Sequence, residues 1–145
     1  MTRFLSALSL LVFTAAPAAA QVGIGGQVGE PTGLSLKFGA GQGALAVAVG
    51  WDLDDSISAE AHYILRERRL QGSSGARLFY GPGAFIDVQG SGRNEDVDAG
   101  VSLGVGLSAM LAREIELYGL ISPRLRLVDE TGFEIGGGVG LRLYL

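Results

Sequence analysis

The sequence contains no cysteine and a single histidine, His62. Disulfide frameworks, zinc–thiolate centres, thiol nucleophiles and multi-histidine metal sites are thereby excluded. Charge is scarce as well. Asp, Glu, Lys and Arg make up 18% of the 145 residues, and 11 basic against 15 acidic side chains leave a net charge of −4. That balance offers no basic excess to a nucleic-acid backbone, so no nucleic-acid partner is expected. A mean hydropathy of +0.34 is too apolar for a disordered chain. Long apolar runs are missing after the first twenty residues, which leaves nothing that reads as a helical membrane span. No GxGxxG opens a helix and no GxxxxGK[ST] occurs, which removes the common nucleotide-binding loops. What abounds is glycine, 24 residues of it, in a chain with room for one domain.

The first twenty residues differ from the rest. Arg3 supplies a positive start, Phe4 to Phe13 form an apolar run, and Ala18-Ala19-Ala20 offers a small-residue cleavage site before Gln21. That order is the signature of a secretory signal peptide, and the run is short of the roughly 20 residues a spanning helix needs. The expected organisation is a cleaved leader over 1–20 and an exported domain over 21–145.

Beyond Gln21 the apolar residues alternate. Val97, Ala99, Val101, Leu103, Val105, Leu107, Ala109 and Leu111 are separated by Asp98, Gly100, Ser102, Gly104, Gly106, Ser108 and Met110. A period of two places one set on each face of a strand, whereas a helical period of 3.6 would mix them. Phe133, Ile135, Val139, Leu141, Leu143 and Leu145 repeat the pattern, as do Ile115, Leu117, Ile121, Leu125 and Leu127. So do Leu45, Val47, Val49, Trp51 and Leu53, followed by Ile57, Ala59, Ala61, Tyr63 and Leu65. Leu34, Leu36 and Phe38 form a shorter run, Leu78, Tyr80, Ala84, Ile86 and Val88 a longer one, and Val22, Ile24 and Val28 a weak first one. Short links rich in Gly, Asp, Asn and Ser join these eight segments, so an all-β fold of antiparallel hairpins follows. Pro82 and Pro123 fall inside predicted strands, where bulges or local breaks in the ladder are expected.

The second face decides the architecture. It is dominated by Gly and Ser, with isolated charges of both signs, whereas a solvated sheet face carries Lys, Glu, Thr and Gln. Glycine is a poor strand former unless something must approach closely. The interior of an eight-stranded barrel, only wide enough for side chains to fill, supplies that reason. The reading is therefore an eight-stranded antiparallel up-and-down transmembrane β-barrel with its aliphatic face toward lipid. The inward face is expected to carry a structural charge network of Lys37, Glu60, His62, Arg77, Asp87, Glu116, Arg124, Arg126, Glu134 and Arg142. Arg66 falls on the same face by the same count. Mid-strand Arg124, Glu116, Glu60 and Arg77 are expected to pair, since an unpaired buried charge costs several kcal/mol. Trp51, Tyr63 and Tyr80 lie near segment ends, where interfacial aromatics belong. Segments 75–89 and 97–111 are long enough to protrude past a bilayer.

Signal peptide, eight alternating segments, a Gly-rich inward face and the terminal run Leu141-Arg142-Leu143-Tyr144-Leu145 resemble the small outer-membrane β-barrel proteins of Gram-negative bacteria, the OmpA/OmpX-like class. The likeness spans 21–145 and is one of pattern. It departs at the last residue, Leu145, where that class has an aromatic. The resemblance implies insertion into the outer membrane by its assembly machinery, lipid as the surrounding partner, and both termini in the periplasm. It implies a monomer with a structural or surface-interaction role. No catalytic residue, metal or cofactor is expected. Ser58, Glu60 and His62 share the inward face, and some eight-stranded outer-membrane barrels modify lipid, but residues two apart on one strand lie side by side instead of converging into a triad. A soluble exported barrel carrying a small apolar ligand is the alternative. It requires Val101, Leu103, Val105 and Leu107 to face a cavity. The cluster Arg66, Arg68 and Arg69 reads as a solvated turn or, alternatively, as a contact for an anionic headgroup.

Overall fold

The computed structural model describes residues 22–51, 56–72, 75–90, 96–128 and 131–145. The expected leader over 1–20, Gln21 and Leu53 lie outside the described residues. Nine strands follow one another: β1 (Val22–Glu30), β2 (Gly33–Ala40), β3 (Gly43–Trp51), β4 (Ile57–Ile64), β5 (Arg66–Arg69), β6 (Ala76–Gln89), β7 (Asp96–Met110), β8 (Ile115–Arg126) and β9 (Gly132–Tyr144). Strands β4 and β5 are two halves of one stave, because both pair with β6. Every neighbouring pair is antiparallel, and β1 closes on β9 from Gly23↔Tyr144 to Glu30↔Gly137. The result is a closed eight-stranded up-and-down barrel, and among the described residues there is no helix. Closure leaves no unpaired edge to recruit another strand.

The alternation seen in the sequence fixes which way each side chain points. Along β8, Glu116, Tyr118, Ser122 and Arg124 are buried, while Ile115, Leu117, Ile121 and Leu125 are exposed on the outside. Outward Phe133, Val139 and Ile121 keep 68%, 59% and 63% of their surface. The inside is the polar side: Ser35, Glu60, His62, Glu116, Arg124 and Arg142 are all buried. Val101, Leu103, Val105 and Leu107 lie on the outer surface, so they line no central cavity. The longest hairpin is β6–β7, of 14 and 15 residues.

Both internal prolines sit at defects of the ladder. Leu111 donates its N–H to the Ile115 carbonyl, so Ile115 directs its backbone polar groups toward β7. A period of two puts the nitrogen of Pro123 on that side too. There the pairing of β7 with β8 is interrupted between Ser102↔Arg124 and Val105↔Ile121, with no change of register. Pro82 works differently. Leu65 donates to the Tyr80 carbonyl, which places the Pro82 nitrogen on the side of β4 and β5. At that point His62 pairs with Gly83 but Arg66 pairs with Tyr80, so Tyr63, Ile64 and Leu65 oppose only Pro82 and Gly81. One extra residue is accommodated as a bulge, which matches a partner that has no N–H to offer.

The bulge corrects the facing of Arg66. Counting by two along the stave places it inward, but the extra residue reverses the parity after Leu65. Arg66 pairs with exposed Tyr80 and projects outward, and Glu67, opposite buried Phe79, enters the lumen instead. Substituting Pro123 by Ala is therefore expected to leave the folded barrel within about 1 kcal/mol of its present stability, since no ladder bond exists there to be lost. Ile121→Pro, two residues away in regular pairing, is expected to cost about 1–3 kcal/mol through an orphaned ladder group. Urea unfolding of the folded barrel checks both, and equal losses would contradict the assigned ladder break.

Candidate functional site

The lumen holds the only chemistry-bearing cluster among the described residues, and it is organised in tiers. Toward the end where Gly23 meets Tyr144, Arg142 Nη1 lies 2.9 Å from Glu116 Oε1, a pair joining adjacent β9 and β8. Lys37 from β2 binds Glu67 and approaches Glu116 at 3.7 Å. Arg77 lies at the rim, 3.8 Å from Glu67, with 42% of its side chain exposed. It is not mid-barrel, because β6 begins only one residue before it.

The middle tier is a chain of hydrogen bonds through neutral side chains, started by the Arg142 guanidinium and running with one consistent polarity. Arg142 Nε donates to Ser35 Oγ at 2.9 Å. Tyr118 Oη lies 2.6 Å from Ser35 Oγ and 2.7 Å from Gln27 Oε1. The amide oxygen can only accept, so the phenol gives its single proton to Gln27 and receives that of Ser35. Gln27 Nε2 then donates to the Pro31 carbonyl at 2.6 Å. The Arg142 guanidinium also stacks 3.8 Å from the centroid of the Tyr118 ring. Delocalised charge over an aromatic face stabilises a desolvated cation.

The third tier centres on Arg124. Its Nε donates to Glu60 Oε2 at 2.6 Å and its Nη2 to the Glu30 carbonyl at 2.7 Å, with Glu134 at 4.0 Å and the Phe85 ring at 5.2 Å. His62 Nε2 lies 3.1 Å from Ser102 Oγ, 3.3 Å from Ser122 Oγ and 3.6 Å from Glu60 Oε1. A serine, a histidine and a carboxylate thus do converge, from β7, β8 and β4, although Ser58 is not among them. All three groups meet the same ring nitrogen, whereas a hydrolytic triad places hydroxyl and acid on opposite nitrogens. Space for these side chains comes from glycine: a Cβ at Gly136 would lie 2.6 Å from Arg124 Cζ, and one at Gly104 2.9 Å from His62 Cδ2. Arg126 completes the upper rim, 3.6 Å from Asp98 and 4.0 Å from Glu134.

Above this tier the barrel opens into a cavity of about 570 Å³ at the end away from Val22 and Tyr144, walled by Glu30, Thr32, Ser58, Asp87, Arg124 and Glu134. Below it a space of about 10 Å³, bounded by Gln27, Glu60, His62 and Arg142, has room for a single water. Among the described residues no group of three or more His, Asp or Glu side chains is arranged to hold a metal ion.

Gln27, Ser35, Glu67, Tyr118, Ser102 and Ser122 belong to these tiers and are absent from the set of charges expected from sequence. The alternation already placed Ser102, Ser122 and Tyr118 on the inner face; only their contacts needed register. Glu67 had no such signal, because Arg66-Glu67-Arg68-Arg69 contains no apolar residue to set parity.

Arg124→Met is expected to cost about 3–5 kcal/mol, because it strands the Glu60 carboxylate in the lumen. Glu60→Gln costs less, since Arg124 keeps the Glu30 carbonyl, and the double substitution recovers most of the loss of Arg124→Met. A urea-unfolding double-mutant cycle on the folded barrel reads the coupling; additive losses would mean the two groups do not sustain each other.

The sequence matches no known family description and no curated protein. Its three-dimensional likeness is to the N-terminal β-barrel domain of Pseudomonas aeruginosa OprF, with a TM-score of 0.56 and 14% identity over 86% of this chain and 96% of that one. At that level of identity the resemblance concerns architecture, and the chain shares the closed eight-stranded β-barrel fold of that OprF domain.

Proposed function

We propose that this protein is a non-catalytic integral outer-membrane β-barrel, monomeric, exported by a cleaved leader and inserted by the outer-membrane assembly machinery, with a structural or surface-interaction role. The observation that carries the reading is the inversion of its two faces. Ile24, Leu34, Leu103, Leu117, Leu125, Leu141 and their neighbours form an aliphatic coat around the staves, while arginines and glutamates fill the axis. A water-soluble monomer seldom exposes an apolar patch beyond a few hundred Å². Each such side chain left in water forgoes roughly 1.5–3 kcal/mol that contact with acyl chains would supply. Trp51 and Tyr80, on the outer surface of β3 and β6, suit the polar boundary of such a layer.

A carrier of small apolar ligands is disfavoured, since the outward Val101, Leu103, Val105 and Leu107 leave no apolar central chamber. Lipid-modifying catalysis is disfavoured by the crowding of Ser102, Ser122 and Glu60 around one nitrogen of His62. Porin-like conduction is disfavoured by the side-chain tiers that fill the lumen beneath the open cavity. The mature protein is expected to fractionate with outer membranes and to migrate anomalously on gels until boiled. Spin labels at Leu103 and Val139 should be relaxed by a lipid-soluble quencher and protected from a water-soluble one. Recovery in a soluble periplasmic extract, or the opposite quenching order, would overturn the proposal.

A further inference from the structure

We propose that the outer surface of the β5–β6 hairpin is a docking site for anionic phospholipid headgroups, held by Arg66 and Arg68; this rests on the membrane reading above. The extra residue at Leu65 is what creates the site. It turns both guanidinium groups away from the lumen and onto the face that also carries exposed Leu65 and Tyr80. Arg66 stands beside Tyr80, which pairs with Val105 on β7, and Arg68 beside Leu78, which pairs with Leu107. Two arginines therefore border the aliphatic coat near the end of the barrel where the chain termini meet.

Three further features favour this occupant. Among the described residues neither Arg66 nor Arg68 forms an ion pair, although every arginine of the lumen does. Their charge has no counter-ion within the described protein and is free for an external one. A guanidinium offers paired donors that match phosphate oxygens and sheds water more readily than an ammonium. The two ends of the barrel also differ in sign. Glu30, Asp87 and Glu134 line the open cavity at one end and Asp98 lies at its rim, four acids against Arg124 and Arg126 there. The opposite end, where the chain termini meet, carries Arg66, Arg68 and Arg113 on its exterior and Arg69 on the lumen side, with Glu67 and Glu114 the exposed acids among the described residues there. Among the described residues, that end suits an anionic leaflet better than the other does.

The test uses the mature protein reconstituted in phosphatidylcholine membranes, with spin-labelled phosphatidylglycerol or spin-labelled phosphatidylcholine as the probe. The barrel is expected to retain labelled phosphatidylglycerol on the order of fivefold better than phosphatidylcholine at low salt, and less as salt rises. Arg66→Gln with Arg68→Gln should abolish the preference. Arg66→Lys with Arg68→Lys should keep part of it, and Arg77→Gln, the loss of one charge on the lumen side, should leave it intact. An inserted barrel that shows no preference, or one whose preference survives the double glutamine substitution, overturns the headgroup site and leaves the membrane reading standing. A protein that immobilises no lipid of either kind overturns both.

Discussion

Arg124 and Glu60 meet 2.6 Å apart on staves that are not sheet neighbours, and each is nearly withdrawn from solvent. Neither charge is tolerable there alone, because desolvation of an ion is repaid only by a partner of opposite sign and by hydrogen bonds to its remaining atoms. That requirement shapes much else in the barrel. The guanidinium needs a wall thin enough to lie against, and Gly136 provides it. Its second donor needs an acceptor, and the Glu30 carbonyl at the end of β1 supplies one. The same logic recurs lower down, where Arg142 is bonded to Glu116 and Ser35 and covered by the Tyr118 ring. In the filled part of the lumen protein groups take the place of water, so the interior is specified by mutual satisfaction of polar groups beside a small apolar cluster of Ile64, Phe79 and Tyr118.

The ladder defects are the second organising feature, and they lie in one row. Pro82 pairs with Leu103, and Leu103 stands opposite Pro123 across the interrupted segment between β7 and β8. The inner residues flanking this row are His62, Gly83, Ser102, Gly104, Ser122 and Arg124. The most crowded polar tier thus coincides with the part of the wall whose backbone pairing is loosest. An open ladder segment permits local changes of twist that a continuous one resists, which gives the wall latitude to conform to side chains fixed by their hydrogen bonds. The bulge beside Pro82 has a separate consequence at the far end of the same stave. Reversal of parity brings Glu67 inward to meet Lys37 and sends Arg66 outward.

Much of this was legible from the chain. Alternation alone gave the strand class, the number of staves and the inward or outward assignment of Glu60, His62, Glu116, Arg124 and Arg142, because side-chain direction in a strand has a fixed period and does not depend on partners. Two prolines within otherwise regular runs marked the ladder defects. Pairings were not legible. Arg124 and Glu60 are 64 residues apart, and Tyr118 and Gln27 are 91 apart. Which tier each reaches depends on the stagger between staves, a quantity that no local pattern encodes. Parity beyond Leu65 was lost for a related reason. A bulge is invisible to a count by two unless apolar residues follow it to reset the phase, and four charged residues follow Leu65. The Ser–His–acid convergence escaped because it is assembled from facing staves, while sequence reasoning weighed only neighbours on one strand.

The inverted faces also explain why so glycine-rich a chain can hold a single structure. In a soluble barrel, inward branched residues would set the diameter by packing, and frequent glycines would leave voids. Here the interior volume is claimed by a few long side chains, and each glycine beside them is the clearance they need, as Gly104 is for His62. The conformational freedom that glycine brings to the unfolded chain opposes folding. Against it stand a ladder closed all round, save at the proline row, and charge pairs that tie non-adjacent staves across the axis. Such cross-ties resist shear between staves more directly than an apolar core does, because a slip of one residue would reverse every face and separate every pair at once. Register in this barrel is accordingly held from two sides, by the aliphatic coat that must stay outside and by the ion pairs that must stay within.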